Sequence, residues 1–272
     1  MQNNSKQIFD LTGHCALITG GTQGVGAAIA IALATAGSDV VLVGLQDDET
    51  AKQTLLTCQN QGVKAELLLA DLSVDPESYL PDLLKQAKEL LPRIDLLINN
   101  VGTYIDKPYF EMDFDTYQST MHLNVTSGYF LTQAIARRWV EEGTRGRILF
   151  TGSINGILSE PDHTAYDTSK GAVAAMVRSL CVTLAPLGIR VNALAPGLVR
   201  TPLTKILDEN EQLHSWMKFH TPNGQVPNAD VCGGAAVFLL SDAAEHVQGQ
   251  TLLVDGGMSV WQQPDPPDNW PT

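Results

Sequence analysis

Tyr166 and Lys170 stand four residues apart in the stretch AYDTSKG. Side chains at this spacing share one face of a helix, so a phenol and an ammonium could reach the same small molecule. A phenol is a poor base at neutral pH because its pKa lies near about 10, but a nearby cation favours the phenolate. The pair therefore fits general acid/base chemistry. Composition alone gives a tyrosine four residues ahead of a lysine roughly 0.2 times by chance, so the pair needs support from the rest of the chain.

A glycine-rich turn, TGGTQGVG at residues 19–26, follows the first apolar run and leads directly into a helix-like segment. Gly20, Gly24 and Gly26 would let the backbone pass close to a pyrophosphate, whose charge the free N–H groups of a helix N-terminus stabilise. The alternative is an ordinary tight turn with close strand–helix packing. The strand–turn–helix context favours a dinucleotide site.

Short apolar runs alternate with helix-like segments along the chain. Helices are predicted at 25–36 and 48–61, and another at Asp75-Pro76, which Pro81 is expected to disturb. This alternation predicts one doubly wound α/β Rossmann domain over residues 1–272, with a seven-stranded, mainly parallel sheet. The runs that predict its strands are residues 14–19, 39–44, 64–70, 95–99, 146–151, 189–194 and 251–254.

Composition narrows the class of partner. The 272-residue chain has 44% hydrophobic residues and a formal net charge of −13, which argues against a nucleic acid or an anionic membrane and leaves a small-molecule substrate. No apolar run reaches membrane-spanning length, and the N-terminus has no apolar signal region, so a soluble, cytoplasmic protein is expected. The four cysteines lack metal-ligand spacing and are expected to be reduced packing residues: Cys15, Cys58, Cys181 and Cys232.

Further motifs carry a family resemblance. The glycine turn, NNVG at 99–102, Asn124, Ser153, the Tyr166 to Lys170 pair, and PG at 196–197 followed by Thr201 occur in this order. Together they resemble the compact, single-domain form of the short-chain dehydrogenase/reductases over about residues 10–258. Val101 is a departure, because the family usually has alanine there.

The resemblance implies a role for each residue. Tyr166 would be the acid/base, Ser153 the stabiliser of the reacting oxygen, Lys170 the anchor of the nicotinamide ribose, and Asn124 the holder of a water that relays the proton. In isolation, Ser153 would be interpreted as a turn residue and Asn124 as a surface helix residue. The implied cofactor-binding residues are Thr19, Gly20, Thr22, Gln23, Gly24, Val25, Gly26, Leu45, Asp71, Leu72, Asn100, Val101, Gly102, Tyr166, Lys170, Pro196, Gly197, Val199 and Thr201.

The cofactor is NAD or NADP, and the residues after the second strand favour NAD. That strand ends in Gly44-Leu45-Gln46, without a basic residue for a 2′-phosphate, and Asp47 and Asp48 just beyond would repel one. The resemblance implies that Asp71 contacts the adenine, although Asp71 could simply cap the next turn.

No metal is expected. Four of the six histidines, at 122, 163, 214 and 220, show no ligand spacing and no visible carboxylate partner. The arginines at 137, 138, 145 and 147 could dock an acidic carrier, but cations at helix ends are usually solvated or paired with the helix dipole.

The long helices around 114–138 and 164–185 carry more apolar surface than one sheet face can cover. The family resemblance implies a homotetramer packed through such helices, and a monomer with unusually buried helices is the alternative.

The resemblance implies that two segments wall the substrate pocket: residues 154–163 and a lid at about 198–220. Their polar side chains favour a sugar or polyol, such as an aldose oxidised at its anomeric carbon. The alternatives are a 3-oxoacyl thioester and, from another class, a non-catalytic NAD(P)-binding regulator. A Pro-rich tail follows at about 259–272. The polar candidates are Asn155, Glu160, Asp162 and His163 in the first segment, and Lys205, His214, Trp216 and His220 in the second.

Overall fold

The structure is a computed structural model that describes residues 8–91, 93–202 and 210–261. Lys205 and the tail beyond residue 261 lie outside the described residues.

A single seven-stranded sheet forms the centre of the described molecule, with the order β3-β2-β1-β4-β5-β6-β7. All six pairings are parallel, so the predicted fold class is confirmed, and the sheet is wholly rather than mainly parallel. The order reverses direction beside β1, which opens the crevice between β1 and β4 in which ligands of such folds bind. The strands are β1 (Cys15–Thr19), β2 (Asp39–Gly44), β3 (Ala65–Leu69), β4 (Leu96–Asn99), β5 (Arg147–Thr151), β6 (Arg190–Pro196) and β7 (Thr251–Val254).

Helices cover both faces of the sheet. On β1, Leu17 packs into one core layer, whereas Ala16 and Ile18 pack into the other, because successive side chains of a strand point to opposite faces. The helices are α1 (Gly24–Thr35), α2 (Glu49–Gln59), α3 (Pro76–Leu90), α4 (Phe114–Met121), α5 (Ser127–Glu142), α6 (Thr164–Leu184), α7 (Glu211–His220) and α8 (Val231–Leu240).

The expected disturbance of α3 by Pro81 is wrong. The helix begins at Pro76, where the Asp75 carboxylate accepts a hydrogen bond from the backbone N–H of Glu77, and it continues to Leu90. Pro81 is exposed, so the helix lacks its one N–H donor at the protein surface. Tyr79 is buried on the same helix, and this packing holds the helix together across the proline.

A π turn at His122–Thr126 separates α4 from α5, where the sequence predicted one long helix. Such turns are rare in helices, and where they occur they often lie at functional sites. Asn124 is the buried residue of this turn.

The amino end of β6 holds a buried arginine, Arg190, with an exposed fraction of 9%. Its guanidinium donates hydrogen bonds to the carbonyl oxygens of Leu239, Ser241 and Ala244 at 2.9–3.0 Å. These carbonyls belong to the end of α8 and the turn after it, where helix carbonyls lack partners. Burial, together with the charge of neighbouring Arg147, lowers the pKa of Arg190 to about 10.

Arg147 also binds this end of α8, donating to the carbonyl oxygen of Leu240 at 2.6 Å and forming an ion pair with Asp242. For this residue, the interpretation as a partner of a helix C-terminus is confirmed.

One helical stretch, Thr164–Leu187, is long and apolar enough to cross a membrane, with a mean hydropathy of 1.3 over its most apolar window. The expectation that no apolar run reaches this length is therefore wrong. The stretch is α6 with the turn that follows, and Val173 and Val177 pack into the core. Only 28% of that window is buried, and the exposed apolar residues of the stretch include Val182 and Leu187.

Three of the four cysteines, Cys15, Cys58 and Cys232, are buried, and none forms a disulfide in the described part of the chain. Burial raises the pKa of the Cys15 thiol to about 12, as expected of a packing residue.

Candidate active site

A cavity of about 1150 Å³ lies at the carboxyl ends of the strands. It joins the glycine turn at one end to Tyr166 and the segment before α6 at the other. Most of the predicted site residues line it: Gly20, Thr22, Gln23, Gly24, Val25, Leu45, Asp71, Leu72, Asn100, Val101, Gly102, Ser153, Tyr166, Lys170, Pro196, Gly197, Val199 and Thr201.

Thr19, Gly26 and Asn124 are predicted site residues that do not line the cavity. Thr19 is 1% exposed, and its hydroxyl accepts hydrogen bonds from the backbone N–H groups of Asn100 and Val101 at 3.0 and 3.2 Å. Asn100 in turn donates to the carbonyl oxygens of Thr19 and Gly20, both at 3.1 Å. Thr19 therefore ties β1 to the loop after β4 and contacts no ligand space itself.

The glycine turn fits the phosphates of a dinucleotide. Gly20 and Gly24 have positive φ angles of 61° and 56°, which L side chains rarely adopt. A Cβ on Gly26 would lie 2.1 Å from the carbonyl oxygen of Gly20, so only glycine allows α1 to approach this closely. No side chain caps α1, and Gly24 and Val25 line the cavity, which leaves the first N–H groups of the helix to an anion.

Asn124 lies behind the cavity and fixes the loop after β4. Its side-chain oxygen accepts from the backbone N–H of Thr103 at 2.7 Å, and its amide nitrogen donates to the Thr103 carbonyl at 3.0 Å and to the Ser169 hydroxyl at 2.9 Å. The Ser169 hydroxyl donates to the carbonyl oxygen of Tyr166 at 2.7 Å. The π turn thus connects to the backbone of the proposed acid/base residue.

Ser153, Tyr166 and Lys170 meet in the part of the cavity away from the glycine turn. Tyr166 lies in the first turn of α6, one turn before Lys170, and the Lys170 ammonium is 5.6 Å from the centre of the Tyr166 ring. The ammonium donates to the carbonyl oxygen of Thr151 at 3.1 Å. Ser153 follows β5, and its hydroxyl accepts from the backbone N–H of Asn155 at 3.1 Å.

The pKa of Tyr166 is raised. Burial is the largest cause, and the charges of Asp167 and Glu160 add to it, whereas a hydrogen bond with Ser153 lowers the pKa. Burial also lowers the pKa of Lys170 to about 8. The expectation that Lys170 brings the Tyr166 pKa down is therefore wrong for the protein alone, because the cost of burying a phenolate is the largest contribution to this pKa.

A second polar cluster, which we call the His163 cluster, stands beside Tyr166 and consists of Tyr104, Asp106, Glu160 and His163. The Nε2 atom of His163 lies 2.6 Å from the Tyr104 hydroxyl and 2.7 Å from an Asp106 oxygen, and Nδ1 lies 3.0 Å from a Glu160 oxygen. The Tyr104 ring meets the Tyr166 ring edge-on, with centres 5.1 Å apart. The expectation that the histidines have no carboxylate partner is wrong for His163.

The predicted substrate walls are partly observed. Asn155, Glu160 and His163 line the cavity, whereas Asp162 does not; it has a positive φ of 65°, and its carbonyl accepts from the Lys107 N–H. The sequence reasoning missed Tyr104 and Asp106. The signal available was their place just after NNVG, on a loop that follows a strand at its carboxyl end.

In the lid segment, Trp216 on α7 lines the cavity, whereas His214 and His220 do not. His220 stacks on Trp216 with ring centres 4.0 Å apart, and His214 lies 3.1 Å from an Arg200 nitrogen.

At the other end of the cavity, Asp71 caps a turn, as one interpretation predicted, and contact of Asp71 with the adenine stays a prediction. Asp71 lines the cavity, and its carboxylate accepts hydrogen bonds from the Ser73 hydroxyl and backbone N–H at 2.6 and 2.8 Å, which lower its pKa. Asp48 also lines the cavity while capping α2. Among the described residues, no group of three or more His, Cys, Asp or Glu side chains could hold a metal ion.

Comparison with known proteins gives matches along nearly the whole chain. A family model described as Enoyl-(Acyl carrier protein) reductase matches residues 20–259. The chain is 33% identical over 253 residues to an L-rhamnose 1-dehydrogenase (NADP(+)) of Thermoplasma acidophilum, covering 93% of this chain and 99% of that protein. It is also 33% identical over 253 residues to a gluconate 5-dehydrogenase of Gluconobacter oxydans, covering 93% and 97%. Among solved structures, a gluconate 5-dehydrogenase from Burkholderia cenocepacia in complex with NADP and tartrate is 31% identical, with a TM-score of 0.88 and coverage of 95% of this chain and 100% of that one.

Proposed function

Because the chain belongs to the short-chain dehydrogenase/reductase family, we propose that it is a sugar or polyol dehydrogenase with Tyr166 as its acid/base. It is an NAD(P)-dependent oxidoreductase that interconverts an alcohol and a carbonyl. The observation that carries the proposal is the meeting of Ser153, Tyr166 and Lys170 in a cavity whose wall, at Glu160 and His163, is polar.

The nicotinamide cofactor accepts or donates the hydride when it is bound. Tyr166 takes the proton from the substrate hydroxyl during oxidation and returns it during reduction, and the Ser153 hydroxyl donates a hydrogen bond to the reacting oxygen. Since the pKa of Tyr166 is raised, its neutral, proton-donating form is favoured at neutral pH. Oxidation of the alcohol should therefore speed up with rising pH.

Lys170 serves as a cation beside Tyr166 and as a donor for the ribose of the cofactor. Its ammonium lines the cavity and binds one protein carbonyl, that of Thr151, whereas an ammonium has three donors. Asn124 holds the loop that ends the cavity, and its part in holding a water that relays the proton stays a prediction from the family resemblance.

The polar wall supports a substrate with hydroxyl groups, because buried polar groups without partners cost about 1–3 kcal/mol each. The names of the two relatives described above also support it, since one acts on L-rhamnose and the other on gluconate. A 3-oxoacyl thioester reductase is the second candidate, and the description of the matching family model favours acyl carrier chemistry.

For the cofactor, NAD remains our prediction on the residues of this chain. Lys170 is the only lysine or arginine among the described cavity-lining residues, and Asp48 lines the end near the glycine turn, where a carboxylate repels a 2′-phosphate. The cofactor named for the L-rhamnose dehydrogenase and bound in the Burkholderia structure is NADP, which weighs against a preference for NAD. Dissociation constants for NADH and NADPH decide it, and tighter NADPH binding would reverse the prediction.

We also predict a homotetramer, supported by apolar surface that the described residues leave exposed. Phe110 and Phe114 are 98% and 73% exposed, and Val182 on α6 is 77% exposed. A light-scattering mass near 29.3 kDa at micromolar concentration would refute it. Cytoplasmic location, a single domain over 1–272 and lid movement of residues 198–220 remain predictions from the sequence.

The proposed function is tested by the absorbance of reduced nicotinamide with NAD and NADP separately. The panel comprises aldoses, polyols, simple ketones and an acetoacetyl thioester. We expect turnover of an aldose or polyol, and a preference for the thioester of more than tenfold in kcat/KM would remove the sugar proposal.

The Tyr166→Phe variant should lose roughly 10²- to 10⁴-fold in turnover, the scale of one general acid, and keep its affinity for the dinucleotide. Equal rates in variant and parent would contradict the role of Tyr166, and turnover of nothing in the panel would favour a non-catalytic regulator.

A further inference from the structure

The His163 cluster lies at the substrate end of the cavity and has no assigned part in hydride or proton transfer. Tyr104, Asp106, Glu160 and His163 all line the cavity, and Tyr104 contacts the ring of Tyr166. The cluster therefore stands where the part of the substrate away from the reacting carbon must lie.

Its formal charge is negative in either protonation state of the histidine, −1 with a charged imidazolium and −2 with a neutral ring. His163 uses one ring nitrogen on Asp106 and the other on Glu160, so two carboxylates share at most one positive charge. Their exposed fractions differ, with Asp106 at 57% and Glu160 at 34%, so both can still reach a ligand. His163 is only 12% exposed and is held in place by the two acids.

Nothing else among the described cavity-lining residues offsets this charge. Lys170 is the only lysine or arginine there, and its ammonium lies beside Tyr166 and binds the Thr151 carbonyl. The whole chain carries a formal net charge of −13, which adds a field of the same sign. A carboxylate on the substrate would therefore approach like charges, whereas hydroxyl groups could donate to carboxylate oxygens.

We propose that Asp106 and Glu160 select a neutral polyhydroxylated substrate, an aldose or polyol, and reject the corresponding sugar acid. This inference rests on the proposed sugar or polyol dehydrogenase function. It separates this chain from relatives whose names specify gluconate. In this arrangement, hydroxyl groups of the sugar donate to Asp106 and Glu160, and His163 positions both acids.

The test compares two pairs of compounds in which a carboxylate replaces a CH₂OH group at one end. Glucose and glucuronate differ at C6, and sorbitol and gluconate differ at C1, where a CH₂OH group replaces a carboxylate. We expect kcat/KM for the neutral member of each reacting pair to exceed that for the acid by about tenfold or more at low ionic strength. The excess should shrink in high salt, because part of the repulsion is screened.

Variants locate the effect. Glu160→Gln and Asp106→Asn keep side-chain shape and remove one charge each, so each should lower the neutral-to-acid ratio by about three- to tenfold, mainly through a lower KM for the acid. The matched control is Asp115→Asn, which removes the same charge from α4, at an exposed position outside the cavity lining, and should leave the ratio unchanged.

Each outcome decides the inference. A sugar acid preferred over its neutral partner, or a ratio that neither variant changes, overturns the inference and leaves the proposed function standing. Turnover of the thioester without any of the four sugar compounds overturns the proposed function and the inference with it. A neutral preference that Glu160→Gln and Asp106→Asn reduce and Asp115→Asn does not supports both.

Discussion

The two ends of the sheet each hold one buried cation. Arg190, at the amino end of β6, is 9% exposed, and Lys170, on α6 beside the carboxyl end of β5, is 7% exposed. Burial lowers the pKa of both side chains. Their hydrogen bonds differ: Arg190 donates to three carbonyl oxygens, whereas Lys170 donates to one protein carbonyl, that of Thr151.

The difference distinguishes a structural cation from a functional one. Burying a charge is costly unless hydrogen bonds compensate for lost water. Arg190 receives that compensation from the end of α8, so it stabilises the fold. Lys170 receives little within the described protein and faces the cavity, so its remaining donors are available to a bound molecule. A pattern of unused donors on a buried cation thus indicates a ligand site.

The largest expected effect comes from Lys170→Met. Turnover should fall by about 10²- to 10³-fold, the scale of losing one oriented electrostatic group, because the variant lacks the cation beside Tyr166. The melting temperature should not fall, since the fold loses only the bond to Thr151. Steady-state kinetics and a thermal melt on the same preparation measure both. Full activity in this variant would contradict the functional role of Lys170.

Arg190→Met should show the opposite pattern. Three carbonyl oxygens at the end of α8 lose their donor, and we expect a loss in the free energy of unfolding on the order of 3 kcal/mol. Urea denaturation measures this loss. At urea concentrations below the unfolding transition, kcat should stay close to that of the parent, because Arg190 lies at the end of the sheet opposite the cavity. A large fall in kcat at unchanged stability would contradict a structural role.

The pH dependence of the free energy of unfolding tests whether Lys170 is desolvated. The pKa of Lys170 is lowered from 10.5 to about 8 in the folded protein, so between these values the unfolded chain binds more protons. Stability should therefore rise with pH in this window, and the penalty is complete below the folded pKa. Relative to Lys170→Met, the parent should gain ~2 kcal/mol between about pH 7.5 and 9.5.

Urea midpoints of parent and variant at the two pH values measure this gain. Tyr166 does not interfere, because its raised pKa acts in the opposite direction and only above about pH 10. Parallel pH profiles of parent and variant would show that Lys170 is not desolvated.

The smallest effect is expected for Asp242→Asn. Asp242 is 67% exposed, and a surface ion pair contributes about 0–1 kcal/mol. Arg147 keeps its bond to the Leu240 carbonyl in this variant. The free energy of unfolding should thus change by less than about 1 kcal/mol, and a larger loss would show that the acid, too, helps to hold the end of α8.

The sequence predicted the seven strands because a parallel sheet is buried on both faces, so its strands are continuous apolar runs such as DVVLVG. It also predicted which loops line the cavity, because those loops follow strands. It could not predict the contact of Asp106 with His163, since the two lie far apart in the chain and meet only through the fold. It misjudged the pKa of Tyr166 because the cost of burial depends on packing, which spacing does not reveal.

The π turn at His122–Thr126 amounts to a one-residue insertion in an otherwise α-helical segment. Each α-helical residue turns the helix by about 100°, so α4 and α5 are out of phase with each other by that amount. A chain shortened by one residue within the turn could close into a regular helix at little cost in stability, yet Asn124 or α5 would face a new direction. The number of residues in this segment is therefore as tightly constrained as their identity. A deletion there would displace the Asn124 amide that holds Thr103.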